Sequence, residues 1–329
     1  MKHFIWIAEP EDYSPKALEF YRGLGNVHEA SEQENVRKEH PDFKATTILV
    51  VRLKYTIDSS WLKNMPDLKI IATPTTGYNH LDLEEIKKRK IKIISLRGHT
   101  SFLEKITSTA ELALGLLLVL VRRIPASFDD VKAGKWNRDK FKGHQLAGKT
   151  LGILGLGRLG KIMASYGKAL GMKVIATDPH ISESEMSSAG ATKVSIEDLF
   201  KQADVVSIHV LLTEETKGLV QESHLRMMKE SAYLINTARA EIIAENALEK
   251  ALEEKWIAGA GVDVMWGEQG GSRFESNVLE NSRLLKYARN QVNKGKDNII
   301  IVPHTGGATY EAMQVTEEFI ADLVSKEVK

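Results

Sequence analysis

Apolar residues along the chain fall into short blocks, separated by stretches in which they recur every three or four positions. His3–Ala8, Thr47–Val51, Leu68–Ala72 and Ile91–Ser95 read as strands. Pro15–Gly23, closed by glycine, and Leu83–Lys90, with one charged face, read as helices. Strand and helix alternate, which predicts a parallel sheet with helices on both faces. Acids and bases mix from Glu29 to His40, a solvated face with no chemistry of its own. Leu96–Ile106 is polar and irregular, and Thr107–Ile124 follows as a long helix. That helix is apolar on nearly all sides from Leu112 to Val121, so it is expected to be buried between domains or between subunits. Pro125 is expected to end it, and Ala126–Gly148 reads as a polar bridge containing Trp136.

The pattern then restarts. Thr150–Leu154 is a buried-type strand that runs into G-x-G-x-x-G at Gly155, Gly157 and Gly160. Arg158–Leu170 continues as a helix with Leu159, Ile162, Met163, Tyr166 and Leu170 on one face, and Gly171 stops it. Lys173–Thr177 is the next strand, with Asp178 at its end. Further strands are expected at Val205–Val210, Ala232–Asn236, Gly259–Val264 and Ile299–Val302. Helices are expected at Ser195–Lys201, Glu222–Met228, Asn246–Glu254, Val278–Asn293 and from Thr309 to about Ser325. A complete set of strands and helices thus precedes the glycine motif. The last helix has no further strand to join, so it is expected to return to the first domain.

Composition narrows the classes. The net charge of +1 offers no reason to expect a nucleic-acid partner. The absence of cysteine excludes disulfides, thiolate catalysis and cysteine metal sites. The N-terminal MKHFIWIAEP reads as a first strand, and the longest apolar run, Leu112–Val121, is about half a membrane span. A cytoplasmic protein with no membrane partner is expected.

The glycine motif carries the first chemistry. Gly155 permits a tight turn out of the strand, Gly157 clears the approach of a pyrophosphate, and Gly160 lets helix and sheet pack closely. The helix N-terminus offers free N–H groups to phosphates. Asp178 lies 18 residues beyond Gly160, where a carboxylate can accept both ribose hydroxyls. It would repel a 2′-phosphate, and Pro179-His180-Ile181 offers no arginine to hold one, so NAD is expected rather than NADP. Taken alone, Asp178 is also a plausible turn former before Pro179.

Six segments together resemble the D-2-hydroxyacid dehydrogenases. They are TTGYNHLDL (Thr75–Leu83), GKTLGILGLGRLGK (Gly148–Lys161), DVVSIHVLLTEET (Asp204–Thr216), LINTARAEII (Leu234–Ile243), AGAGVDVMWGE (Ala258–Glu268) and PHTGGAT (Pro303–Thr309). The overall look is that of phosphoglycerate dehydrogenases without a C-terminal regulatory domain. The resemblance implies two Rossmann-like parallel-sheet domains: a split substrate domain, residues 1–101 plus 304–329, and an inserted NAD-binding domain, residues 102–303. It implies a catalytic set of Arg239, Glu268 and His304. A histidine can exchange the hydroxyl proton, a neighbouring carboxylate favours its protonated form, and an arginine can bind the substrate carboxylate. Read alone, Arg239 is equally a surface ion-pair residue, Glu268 an exposed loop acid and His304 a turn residue.

The same resemblance implies that Gly155, Gly157, Arg158, Leu159, Gly160, Asp178, His209, Val210, Thr216, Thr237, Ala238, Asp263 and Gly306 meet the cofactor. Gly77 and Tyr78 match a loop that holds the substrate carboxylate, and Arg52 matches an anion-binding arginine of phosphoglycerate enzymes. Ala240, Leu211 and Gln269 depart from the usual glycine and prolines at their positions. The stretches 97–106 and 269–298 are longer than usual. The implied partner is a small 2-hydroxy or 2-keto acid, in a homodimer. Two other readings share these motifs: a glyoxylate or hydroxypyruvate reductase, and a non-enzymatic NAD-sensing corepressor.

Overall fold

The computed structural model describes residues 2–268, 280–293 and 298–328. They form two compact units, described in turn: residues 2–105, 267–268 and 308–328, and residues 106–266, 280–293 and 298–307.

The first unit holds a sheet of five parallel strands: β1 (His3–Ile7), β2 (Gly25–Glu29), β3 (Ile48–Val50), β4 (Ile70–Thr73) and β5 (Lys92–Ser95). Their order is β2-β1-β3-β4-β5, a doubly wound arrangement. Its core gathers Trp6, Phe43, Leu49, Trp61, Leu62 and Ile71. β2 is absent from the apolar pattern, because GNVHE is a polar edge strand held by its ladder to β1. The C-terminal helix Tyr310–Glu327 packs against the helix Pro15–Leu24 and against β4 and β5. Ser14 N–H donates to Glu317 Oε2 at 2.7 Å, tying the chain's two ends together.

The second unit holds seven parallel strands: β6 (Thr150–Leu154), β7 (Lys173–Thr177), β8 (Thr192–Lys193), β9 (Val205–Ile208), β10 (Tyr233–Asn236), β11 (Gly259–Val262) and β12 (Ile299–Ile301). The order β12-β11-β10-β9-β6-β7-β8 shows the chain winding outward from β6 in one direction, then returning to wind the other way from β9. The crevice beyond the C-terminal ends of β6 and β9 is therefore the topological switch point, where open sheets take ligands. One face is covered by the helices Ser108–Val121 and Arg158–Ala169, and the other by Ile196–Gln202, Glu222–Met227 and Ala247–Glu253.

One face of the apolar helix packs on the sheet of its own unit: Leu116, Leu117 and Leu120 are buried, Gly261 lets the backbone approach Leu116 and Leu120, and Leu112, Leu114 and Leu118 are half-buried. One expectation about the middle of the chain is corrected. Pro125 does not end this helix. The helix stops at Val121, Arg123 turns through a left-handed φ of 54°, and Pro125 lies in the first turn of a second helix, Ile124–Lys132. The polar bridge is thus partly helical, and Ile124, Phe128 and Val131 recur on it as exposed apolar residues. Short elements also appear at Thr100–Leu103 and Glu183–Ser188, and Arg283–Asn293 realises the later part of the helix expected from Val278. Residues 269–279 and 294–297 of the long stretch 269–298 lie outside the described residues. Among the described residues no helix is long and apolar enough to cross a membrane.

Candidate active site

The glycine turn is built by close approach. Gly155 has φ +90°, and a Cβ there would stand 2.6 Å from Val210 Cγ1 and 2.9 Å from Val210 N. A Cβ on Gly160 would collide with the Gly155 carbonyl oxygen. Gly157, the N-cap of the helix Arg158–Ala169, has open space where a Cβ would go. The first-turn amides of this helix have no intrahelical acceptors. Asp178 closes the arrangement: Leu156 N–H donates to Oδ2 and His180 N–H to Oδ1, each at 2.9 Å. The acid is thereby held against the glycine loop, across from β6.

On the other side of the switch point, His209 and Val210 follow β9. The His209 Nε2 pairs with Ser207 Oγ at 2.8 Å, while Nδ1 is shut off from solvent without a partner. The residue keeps some exposed surface, but its Nδ1 does not, and burial pushes its pKa down to about 4. Thr237, after β10, has a buried hydroxyl that is likewise unpartnered. Open space at Gly157, a helix N-terminus, an oriented acid and these two orphaned polar groups make a set that fits a dinucleotide. Thr216 is placed less openly, since its hydroxyl donates to Leu211 O at 2.5 Å and closes its own loop.

Three adjacent strands of the same sheet carry the remaining residues. Arg239 follows β10, Asp263 follows β11 and His304 follows β12, all at one edge. Arg239 is half-buried; its Nη1 donates to Ala238 O at 2.6 Å, and no carboxylate pairs with it among the described residues. The turn that presents it is held by Asn236, whose Nδ2 donates to Arg239 O at 2.9 Å and whose Oδ1 accepts from Ala238 N at 3.0 Å. Asn236 was not singled out from sequence, although asparagine at a strand end is a turn signal.

Asp263 is 1% exposed and does more than a cofactor contact requires. Thr305 N–H donates to its Oδ1 at 2.6 Å and Gly306 N–H to its Oδ2 at 2.8 Å. His304 N–H donates to the Asp263 backbone oxygen at 2.9 Å. Between these anchors His304 is held at φ +53°, a left-handed conformation that non-glycine residues rarely adopt. Gly306 is needed here for space, because a Cβ would stand 2.9 Å from Asp263 Oδ2. Glu268 lies in the loop beyond β11, half-buried after Gly267, and groups with the first unit.

In the first unit the loop after β4 presents Gly77 and Tyr78. Thr75 Oγ1 donates to Gly77 O at 2.9 Å, and the Tyr78 hydroxyl meets Ser95 Oγ at 2.7 Å. Among the described residues the backbone N–H groups of Gly77 and Tyr78 donate to no protein acceptor. The Arg97 guanidinium lies 5.2 Å from the Tyr78 ring centre. Arg52 is committed elsewhere. It donates to Glu317 Oε1 (3.2 Å), Glu9 O (2.9 Å) and Glu11 O (2.7 Å), and its Nε lies 3.5 Å from Glu9 Oε2. Burial pushes the Glu9 and Glu317 carboxyls up, and Arg52 opposes that shift in both.

Comparison with known proteins shows the family. Residues 114–306 match the family described as D-isomer specific 2-hydroxyacid dehydrogenase, NAD binding domain. The chain is 38% identical to a glyoxylate reductase of Thermococcus litoralis, over 84% of this chain and 78% of that protein. It is 33% identical to a D-3-phosphoglycerate dehydrogenase of Methanocaldococcus jannaschii, over 86% of this chain and 50% of that protein. A D-lactate dehydrogenase from Aquifex aeolicus, crystallised with NAD and lactic acid, has a TM-score of 0.79 and 28% identity, with 98% of this chain and 95% of that one covered.

Proposed function

Because the chain belongs to the D-isomer-specific 2-hydroxyacid dehydrogenase family, NAD-dependent oxidoreductases acting on CH–OH groups, we propose that it interconverts a short, unphosphorylated 2-keto acid and its D-2-hydroxy acid. The observation that carries this reading is the clamp of Asp263 on the loop that bears His304, at the sheet edge shared with Arg239.

NADH, when bound, would supply the hydride for C2. Arg239 holds the substrate carboxylate and polarises the C2 oxygen. His304 gives its proton to that oxygen in reduction and takes it back in oxidation. Glu268 is proposed as the carboxylate that favours the protonated imidazole. Gly77 and Tyr78 are proposed as further carboxylate donors through their free amides. Gly157, Arg158 and Leu159 are proposed to meet the pyrophosphate and Asp178 the adenine ribose. His209, Val210, Thr216, Thr237, Ala238 and Gly306 complete the cofactor's surroundings in this reading. Asp263 enters as a positioning residue as well as a cofactor neighbour.

Arg52 is left out of the substrate site, because Glu9, Glu317 and two carbonyls already use its donors. This favours a glyoxylate-type substrate over a phosphorylated one. The proposal includes a cytoplasmic setting, where NADH is available. It also includes a homodimer formed through the exposed Ile124, Phe128 and Val131 stripe, with Trp136, 89% exposed, nearby in the chain. The test is NADH oxidation against a panel of 2-keto acids, parent beside His304→Ala. Turnover should be greatest with a short keto acid and fall by about 10²–10⁴ in the variant. Undiminished turnover in His304→Ala would refute the assigned chemistry.

A further inference from the structure

We propose that His28, His40 and Asp42 form a binding site for one divalent transition-metal ion of the zinc class, with Glu34 bracing the imidazoles from behind. All four side chains belong to the first unit, and none has a part in the proposed dehydrogenase chemistry.

The site is assembled on a rigid platform. His28 stands on the edge strand β2, in register with Trp6 on β1. The two rings stack, with centres 4.4 Å apart and planes 11° from parallel. Trp6 is fully buried, and its Nε1 donates to Asn35 Oδ1 at 2.7 Å. His40 is the N-cap of the short helix Pro41–Lys44, and its ring centre lies 4.4 Å from that of His28. The two imidazoles therefore face the same two carboxylates, one along each edge.

Along one edge, Asp42 Oδ2 lies 3.3 Å from His28 Nδ1 and 3.9 Å from His40 Nδ1. One donor atom from each of the three residues lies within 4.8 Å of the other two. Ligands about 2.0–2.2 Å from a tetrahedral ion stand about 3.3–3.6 Å apart, so closure needs movements of only about an ångström or less. Along the other edge, Glu34 Oε1 lies 3.1 Å from His28 Nε2 and 3.9 Å from His40 Nε2. Its second oxygen accepts from Ser31 N–H in a capping box, which fixes the carboxylate.

This division of labour is the one metal-binding histidines need. A carboxylate that accepts Nε2–H sets the tautomer and leaves the Nδ1 lone pair for the ion. At His40 that lone pair already accepts a long contact from Asp42 N–H, 3.3 Å, which an ion would displace. Two imidazoles and one carboxylate suit zinc, cobalt or nickel, whereas calcium and magnesium prefer all-oxygen sites. A bound ion would tie β2 to both short helices that follow it, Glu32–Arg37 and Pro41–Lys44, and so pin the segment beside an exposed sheet edge.

The experiment uses the full chain after chelator treatment, titrated with Co²⁺ by visible absorption and with Zn²⁺ by calorimetry. One equivalent should bind, with Zn²⁺ displacing Co²⁺ and raising the melting temperature. Asp42→Asn and His40→Gln should each abolish stoichiometric binding while leaving NADH-linked turnover unchanged, which also shows that the variants are folded. Glu34→Gln should weaken binding by about 10–100-fold, as loss of an outer-shell carboxylate does. Absence of binding in the parent would overturn the site. Stoichiometric binding retained in both Asp42→Asn and His40→Gln would overturn it in favour of an ion held elsewhere.

Discussion

Replacing Asp263 by Ala removes the acceptor that shapes the His304 loop. Thr305 N–H and Gly306 N–H lose bonds of 2.6 and 2.8 Å at a carboxylate that is 1% exposed. The third contact, Thr305 Oγ1 at 3.4 Å, is too long to add much. Hydrogen bonds to charged groups contribute about 1.5–3 kcal/mol each, so the pair contributes about 3–6 kcal/mol. A loosened loop lets both amides reach water, which returns part of this and leaves a loss of about 2–4 kcal/mol. The catalytic effect comes from His304, held at φ +53°. Such a conformation costs a non-glycine residue about 1–3 kcal/mol and persists only while its surroundings enforce it. Once released, His304 relaxes, and its productive geometry becomes about 10–10²-fold rarer. The assays are urea unfolding, kcat/KM for keto-acid reduction, and NADH affinity by fluorescence titration. Stability and kcat/KM should fall by these amounts, NADH affinity should fall by less than kcat/KM, and Asp263→Asn, which keeps one acceptor oxygen, should fall between. Parental kcat/KM together with a parental unfolding midpoint in Asp263→Ala would refute the clamp.

Three further outcomes are expected. Asp178→Asn keeps an acceptor for Leu156 N–H but loses the charge, so NAD preference over NADP should drop by about tenfold or more in steady-state kinetics; an unchanged preference removes Asp178 from the ribose site. His209 is held neutral by burial, so between about pH 6.5 and its folded value of about 4 only the unfolded chain takes up the proton. Stability should therefore fall as pH drops through that window, by up to about 3 kcal/mol, and His209→Gln should lose less between pH 7.5 and 5 in thermal unfolding; equal acid sensitivity sinks the assignment. Phe128→Glu, on the exposed stripe, should shift a dimer to monomer in sedimentation without lowering monomer stability, and an unmoved sedimentation coefficient rules that face out as the interface.

Features set by neighbours in the chain were legible in the sequence. The strand–glycine–helix–strand run ending at Asp178 needs local backbone geometry and little else, and it stands where its spacing put it. The parallel sheets follow from alternating buried strands and amphipathic helices, whose periods survive any arrangement. What depends on distant partners was not legible. β2 is polar and becomes a strand only because β1 offers it a backbone ladder. The apolar helix announced burial but not its cover, and the sheet of its own unit covers the face of Leu116, Leu117 and Leu120. Arg52 reads the same whether it binds an anion or pairs with carboxylates, and its contact with Glu317, 265 residues away, is visible only in the fold. The run from Glu29 to His40 reads as a solvated face. Only the Trp6 platform and the fold of the two short helices bring His28, Glu34, His40 and Asp42 within a few ångströms, because spacing along the chain says nothing of which side chains share a volume.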